Sequence, residues 1–300
     1  MSIEHIEVPA NAPAGDTRDA APDIRRRIAR AVGDVRGRTP LAQSFTNFVT
    51  INLVANAQLA AGGTAAMSFL PDDIIDTAAI SGADYINVGT LLPFYKDALP
   101  QVARAFHTAS HPWVLDPVAA GIGATRTAIL TSFKRWPPTI VRGNASEIIA
   151  LDAMWGLGDA DTASRPAGVE SVDAVDSAVA AALRLARFMA AHNGIGKAAV
   201  AVSGAVDLVT DGEDVYRLPG GSAMMTKITG AGCSLGGVTA VYLAVADPLT
   251  AALASTALYN RAGEIAERHS AGPGSFQTAL LDALWNLTAE QVAESEILRD

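Results

Sequence analysis

The sequence predicts an α/β fold: a mainly parallel sheet covered by helices on both faces, in a single domain with a β-hairpin at one sheet edge. Three observations carry this. Short β-prone runs alternate with Ala-rich stretches of helical period through most of the chain. The last two β-prone runs are instead joined by the tight turn Asp211-Gly212-Glu213-Asp214, as in an antiparallel pair. Half of the 300 residues are hydrophobic and 18% are charged, enough apolar surface for one large core, and no break in composition marks a second domain.

Each element follows in order. Residues 1–22 are rich in Ala, Pro and Asp and hold no apolar block, so they are predicted to be a disordered tail, neither signal peptide nor membrane anchor. The folded domain is expected over 23–300. Ile24, Ile28, Val32 and Val35 recur at helical spacing after Asp23 with arginines opposite, which makes the first element an amphipathic helix. The strand Tyr85-Ile86-Asn87-Val88 follows a helix that begins near Pro71-Asp72, and Trp113-Val114-Leu115-Asp116 follows a helix over 94–109. Thr139-Ile140-Val141-Arg142 follows a helix after Thr125, and a strand over 198–202 follows a long Ala-rich helix over 172–191. Residues 156–168 read as a surface loop. The hairpin pairs Leu208-Val209-Thr210 with Val215-Tyr216-Arg217-Leu218. The apolar stretch 233–246 is too short to span a bilayer and contains Gly236 and Gly237, so a buried helix is expected over 235–245, stopped by Asp247-Pro248. Helices over 249–268 and 275–287 complete the chain.

The formal charge of −9 argues against a nucleic-acid or anionic-membrane partner. One cysteine excludes an internal disulfide and fits a reducing cytosol. The five histidines show no metal-ligand spacing, and Trp113 and Trp136 read as packing residues. No Walker loop is present, and no Gly-x-Gly-x-x-Gly follows the first strand.

Chemistry is expected beyond the carboxyl ends of the strands, where open α/β sheets bind ligands. Asn87 with Gly89-Thr90, Asp116-Pro117, Arg142-Gly143-Asn144 and Ser203-Gly204 all fall there. The run Lys227-Ile228-Thr229-Gly230-Ala231-Gly232-Cys233 precedes the buried helix, and its glycines suit backbone N–H groups aimed at an anion. Cys233 stands where a helix dipole favours a thiolate. An arginine, a carboxylate, a hydroxyl and an anion-binding loop on one rim are what nucleotide phosphates with Mg2+ require.

The Gly-Ala-Gly-Cys loop, Asn144-Ala145-Ser146-Glu147 and Asp116-Pro117-Val118 resemble the ribokinase-like small-molecule kinases. Within them, Thr46-Asn47-Phe48-Val49 with Asn52 and Asn56, Asn87-Val88-Gly89-Thr90-Leu91, Val141-Arg142-Gly143-Asn144 and Gly272-Pro273-Gly274-Ser275-Phe276 resemble the hydroxyethylthiazole kinase family. The likeness implies transfer of the γ-phosphate of ATP to the primary alcohol of 4-methyl-5-(2-hydroxyethyl)thiazole, a step in thiamine salvage. It also implies Mg2+ and a cytoplasmic homotrimer with thiazole sites between subunits. By position it implies that Cys233 faces the substrate hydroxyl beside Gly230, and that Asn47, Val49 and Met67 line the thiazole pocket. Arg142, Ser203, Lys227 and Gly232 would contact ATP, while Asp116 and Glu147 would hold Mg2+.

The residue chemistry agrees with these roles. Met67 is polarizable and suits a sulfur heterocycle, and the Arg142 fork suits phosphate oxygens. A free thiol titrates near ~8.5, so Cys233 is expected to position the alcohol more than to deprotonate it. Three alternatives remain open on sequence: a hydroxymethylpyrimidine or pyridoxal-type kinase, a non-catalytic thiazole or nucleotide-binding protein, and a repair dehydratase, which usually has Asp where Cys233 stands. Two departures from the family pattern bear on nucleotide binding. Ala205 replaces a usual acidic residue, and Ala120 puts a methyl where glycine is usual.

Overall fold

A computed structural model describes residues 18–19, 22–158 and 172–300. Strand β1 (Arg18–Asp19) is followed by helix α1 (Pro22–Arg38), β2 (Leu41–Phe45), α2 (Ile51–Ala60), β3 (Thr64–Met67) and α3 (Pro71–Thr77). Next come β4 (Ala83–Asn87), α4 (Tyr95–Thr108), β5 (Trp113–Asp116), α5 (Ala124–Ser132), β6 (Ile140–Asn144), α6 (Ala145–Trp155) and α7 (Val172–His192). The remainder is β7 (Ala199–Ser203), β8 (Val206–Thr210), β9 (Val215–Pro219), α8 (Ala231–Leu243), α9 (Pro248–Arg268), α10 (Pro273–Asn286), α11 (Ala289–Ala293) and β10 (Leu298–Arg299).

The strands form one sheet in the order β1-β10-β9-β8-β7-β6-β5-β4-β2-β3. From β3 to β7 every pairing is parallel, and from β7 to β1 every pairing is antiparallel. The expected alternation of strand and helix and the edge hairpin are both present. Alternation of side chains along each strand splits the core in two. Tyr85, Val114, Ile140, Ala199 and Ala201 face one cluster with α1, α2, α8, α9 and α10. Ile86, Leu115, Val141, Val200 and Val202 face the other, with α3 to α7. Trp113 is buried there against Phe106 and Phe133, a packing residue as expected.

Several elements depart from the sequence reading. Strands β2 and β3 were not foreseen, because Leu-Ala-Gln-Ser-Phe and Thr-Ala-Ala-Met carry few β-branched residues and take their conformation from the neighbours they pair with. Helix α8 begins at Ala231, four residues before the expected start, because Gly230 in the left-handed region (φ 92°) serves as its N-cap. Cys233 therefore sits inside the first helical turn and not in a loop before it. Part of the expected tail is ordered: Arg18 and Asp19 pair with Arg299 and Leu298, and α1 starts at Pro22. Residues 1–17 and 20–21 of that tail, and 159–168 of the expected surface loop, lie outside the described residues.

Helix α8 reaches the sheet through small residues. A Cβ on Gly236 would stand 2.4 Å from the Tyr85 ring, and Tyr85 is itself fully buried. Gly236→Ala is therefore expected to destabilise the fold by about 1–3 kcal/mol through overpacking. Urea unfolding checks this; an unchanged midpoint would show that the helix is free to lift.

Candidate active site

Side-chain alternation places five polar groups on the α8 face of the sheet. Asn87 lies two residues beyond Tyr85 on β4, and pairing puts it directly beside Asp116 at the end of β5. Arg142 is two residues beyond Ile140, and Ser203 two beyond Ala201, so both point the same way. Because these strands are parallel, their carboxyl ends share one rim, and the N-terminus of α8 closes over it.

The groups are joined by hydrogen bonds. Asp116 Oδ2 accepts from the Tyr85 hydroxyl at 2.8 Å and from Asn87 Nδ2 at 3.0 Å. Asn87 Nδ2 also lies 3.2 Å from Cys233 Sγ and 2.9 Å from the Tyr85 oxygen. Asn87 Oδ1 accepts from Asn47 Nδ2 at 3.1 Å and from the Gly89 backbone N–H at 2.9 Å. Asn47 Nδ2 in turn reaches Cys233 Sγ at 3.3 Å. Two amides thus converge on the sulfur, and one of them also serves the carboxylate.

Arg142 supplies the positive charge of the rim. It is 9% exposed, donates from Nη2 to the Ser203 hydroxyl, and its Nε finds no partner among the described residues. A Cβ on Gly232 would stand 2.6 Å from Arg142 Nη1, so glycine is what lets the guanidinium lie against the first turn of α8. A guanidinium beside a helix N-terminus puts two positive features together, a combination that an anion stabilises.

Glu147 is held by the helix it starts. It forms a capping box with Asn144, its Oε2 accepting from the Asn144 N–H at 2.9 Å. Its Oε1 accepts from the Ala119 N–H at 3.0 Å. Its charge reaches Asp116, whose carboxyl is pushed up to about 7, chiefly by burial, with Arg142 opposing and Glu147 adding. Both hydrogen bonds named for Asp116 fall on Oδ2. Two carboxylates of hard oxygen donors fit Mg2+, which uses one or two such groups with phosphates and waters. No group of three or more His, Cys, Asp or Glu suited to a metal occurs among the described residues.

The pull of the helix terminus toward a thiolate is outweighed by the surroundings. Burial first, and the Asp116 charge second, push the Cys233 thiol above its ordinary value, while hydrogen bonds from Asn47 and Thr50 and the charge of Arg142 oppose them. Cys233 is therefore a thiol near neutrality.

Asn47, Cys233 and Asp116 are thus drawn into one network, with Arg142, Ser203, Gly232 and Glu147 around it. Gly230 sits against Thr50. Met67 packs part-buried on the α8 side of the core, and Val49 is 68% exposed. Lys227 is exposed at the end of the short helical turn Ala223–Lys227. The structure places both departures from the family pattern. Ala120 is buried in the opposite core and does not crowd the rim. Two residues after Ala205, Asp207 supplies a carboxylate that accepts from the Gly204 N–H and from Asn260 Nδ2, both at 3.0 Å. The sequence reading overlooked Tyr85, which sits two residues before Asn87 and so shares its face. It also overlooked Arg126, which donates to the carbonyls of Val88, Gly89 and Ile122.

Comparison with known proteins bears on this arrangement. Residues 32–290 match the hydroxyethylthiazole kinase family. A hydroxyethylthiazole kinase of Bifidobacterium adolescentis is 74% identical over 285 residues, covering 94% of this chain and 97% of that protein. A hydroxyethylthiazole kinase of Cereibacter sphaeroides is 42% identical over 256 residues, covering 85% and 92%. Among solved structures, a hydroxyethylthiazole kinase protein from Pyrococcus horikoshii superimposes with a TM-score of 0.79 at 27% identity, covering 92% of this chain and 99% of that one. The Staphylococcus aureus pyridoxal kinase in complex with ADP shares the fold, with a TM-score of 0.53 at 16% identity over 75% and 87% of the two chains.

The raised Asp116 carboxyl has a consequence for stability. A carboxyl whose folded pKa exceeds its unfolded one opposes folding once ionised, so its penalty grows as pH rises from about 4 to about 7. Asp116→Asn removes that ionisation. The variant should match the parent at pH ~4 and exceed it by roughly 2–4 kcal/mol at pH ~8. Urea unfolding at both pH values checks this, and a difference independent of pH would refute it.

Proposed function

The chain belongs to the hydroxyethylthiazole kinase family, and from that premise we propose that it transfers the γ-phosphate of ATP to the primary alcohol of 4-methyl-5-(2-hydroxyethyl)thiazole. The observation that carries this reading is that the span matching the family contains the whole rim network, from Asn47 to Cys233. Production of the phosphorylated thiazole is the salvage route toward thiamine. Among the described residues no helix is long and apolar enough to cross a membrane. The reaction is assigned to the cytoplasm, in keeping with a free cysteine.

In this reading the residues divide the work. Arg142, Ser203, Gly232 and Lys227 bind the nucleotide, the guanidinium and the first amides of α8 taking phosphate oxygens. Asp116 and Glu147 hold Mg2+, which when bound neutralises phosphate charge. Asn47, Val49, Met67 and Gly230 form the thiazole pocket, and Cys233 orients the hydroxyl. A loose phosphoryl-transfer transition state needs little prior deprotonation of the alcohol, so a thiol with a raised pKa is no obstacle.

Apolar surface lies beside the residues assigned to the thiazole. Phe48, Val49 and Leu70 are exposed, with Phe48 stacked on Phe69. That surface beside a ligand pocket supports a homotrimer whose subunits complete one another's thiazole sites. We take 23–300 as one kinase domain.

Purified protein with Mg2+ and ATP should release ADP on addition of the thiazole alcohol, with kcat/KM above that for a hydroxymethylpyrimidine or pyridoxal. The reverse order would overturn the substrate, and binding without product would make the protein a sensor. Arg142→Ala should raise the KM for ATP by about tenfold or more, the loss of one charged hydrogen-bonding group. In a second test, Val49→Asp should shift the sedimenting species toward monomer and lower activity with it. Full activity in a verified monomer would refute shared sites.

A further inference from the structure

Hydrogen-bond roles around Cys233 can be assigned outward from a group whose role is fixed. A backbone N–H can only donate. The Gly89 N–H, 2.9 Å from the Asn87 side chain, therefore identifies the facing atom as the carbonyl oxygen and settles the orientation of the Asn87 amide. Asn87 Nδ2 then faces Asp116 Oδ2, the Tyr85 oxygen and the sulfur, three acceptors that share its two hydrogens. Asn87 Oδ1 must receive a hydrogen from its other neighbour, which settles Asn47 with Nδ2 inward. The second hydrogen of that same nitrogen is directed at Sγ. Two N–H groups thus approach the sulfur from the sheet side, and neither can accept.

We infer that Asn87, together with Asn47, fixes the Cys233 sulfur as an acceptor toward the sheet, so that its S–H donates toward the acceptor alcohol, orienting the alcohol oxygen without taking its proton. This rests on the alcohol-kinase reading above. The alcohol oxygen forms a bond to the γ-phosphorus while the bridging P–O bond of ATP breaks, its electron pair leaving with ADP. The alcohol proton passes to an oxygen of the transferred phosphoryl group, and the thiol ends with the proton it began with. Thr50, whose hydroxyl also flanks the sulfur, is 4% exposed and holds the same side of the pocket.

Asn87 is a positioning residue in this scheme, and Arg126 braces it. The Arg126 guanidinium spans the carbonyl of Val88 at 3.0 Å and that of Gly89 at 2.6 Å, anchoring the peptide whose N–H orients Asn87. A lysine cannot bridge two carbonyls with the same fork.

With one cysteine in the chain, the infrared S–H stretch reports Cys233 alone. At neutral pH the band is expected in the free protein. It should move to lower frequency when the thiazole alcohol binds with a non-hydrolysable ATP analogue. Disappearance of the band on binding would show that the thiol has lost its proton and stands as a thiolate able to act as base, and an unmoved band would show that the S–H does not meet the alcohol; either overturns the inference. Asn87→Ala should abolish the shift and raise the alcohol KM by about tenfold, the worth of a hydrogen bond or two. Arg126→Lys, which leaves the rim side chains in place, should weaken the shift and raise the alcohol KM more than the ATP KM. Parental shift and KM in both variants would overturn the role of Asn87. Failure of the unsubstituted protein to phosphorylate the alcohol would overturn the functional reading and this inference together, whereas turnover with an unmoved band overturns the sulfur's role alone.

Discussion

A carboxylate with almost no access to water has to be satisfied by protein, and Asp116 is that carboxylate here. Its position follows from the sheet: it ends a central strand whose neighbours on both sides are parallel. Tyr85 and Asn87 reach it because they stand on the adjacent strand at the spacing that puts both on one face. Arg142 and Glu147 act on it from the next strand and helix, with opposite signs. The rest of the rim is arranged around that requirement. Asn87, once committed to Asp116, brings its amide to the sulfur, and through the sulfur the first turn of α8 is tied to the sheet.

Helix α8 can take that position because its sheet-facing side is nearly bare. Gly232 meets the Arg142 guanidinium and Gly236 meets the Tyr85 ring, four residues apart and so on the same side of the helix. A methyl at either place would push the helix off one of the two groups that surround Asp116. The sequence cost is a helix with three glycines, Gly232, Gly236 and Gly237, offset by near-complete burial of its length. Stability of the fold and geometry of the site are the same contacts in this region, so substitutions in α8 will not separate them cleanly.

Much of this was legible in the sequence, for a physical reason. Strand ends carrying Asn87, Asp116, Arg142 and Ser203 are visible because each breaks an apolar run with one polar residue, and a parallel sheet gathers such ends on one rim. What was not legible depends on register and approach. Tyr85 reads as an ordinary core aromatic until pairing shows its hydroxyl beside Asp116. Strands β2 and β3 carry weak local propensity and are made by their neighbours. The early start of α8 hinges on the backbone angle of Gly230, and the burial of Ala120 on which core its turn faces. The strength of the pull against a thiolate at Cys233 was not legible either, because the desolvation and the carboxylate beside it depend on the packing.

The distribution of charge explains how a chain of net charge −9 can host an anionic co-substrate. Overall charge acts over long distances and is screened by salt, whereas Arg142 is nine-tenths buried and acts at contact range. Arg142 and the α8 amides form a positive wall, and Asp116 and Glu147 form a negative one beside it. In the proposed reading, a phosphate placed between the two walls would need a cation on its carboxylate side, which Asp116 and Glu147 would hold. The sulfur stands where these walls meet, held by neutral amides and not by either charge. Burial and the Asp116 charge favour a neutral group at that point, against the opposing pull of Arg142 and of the hydrogen bonds from Asn47 and Thr50.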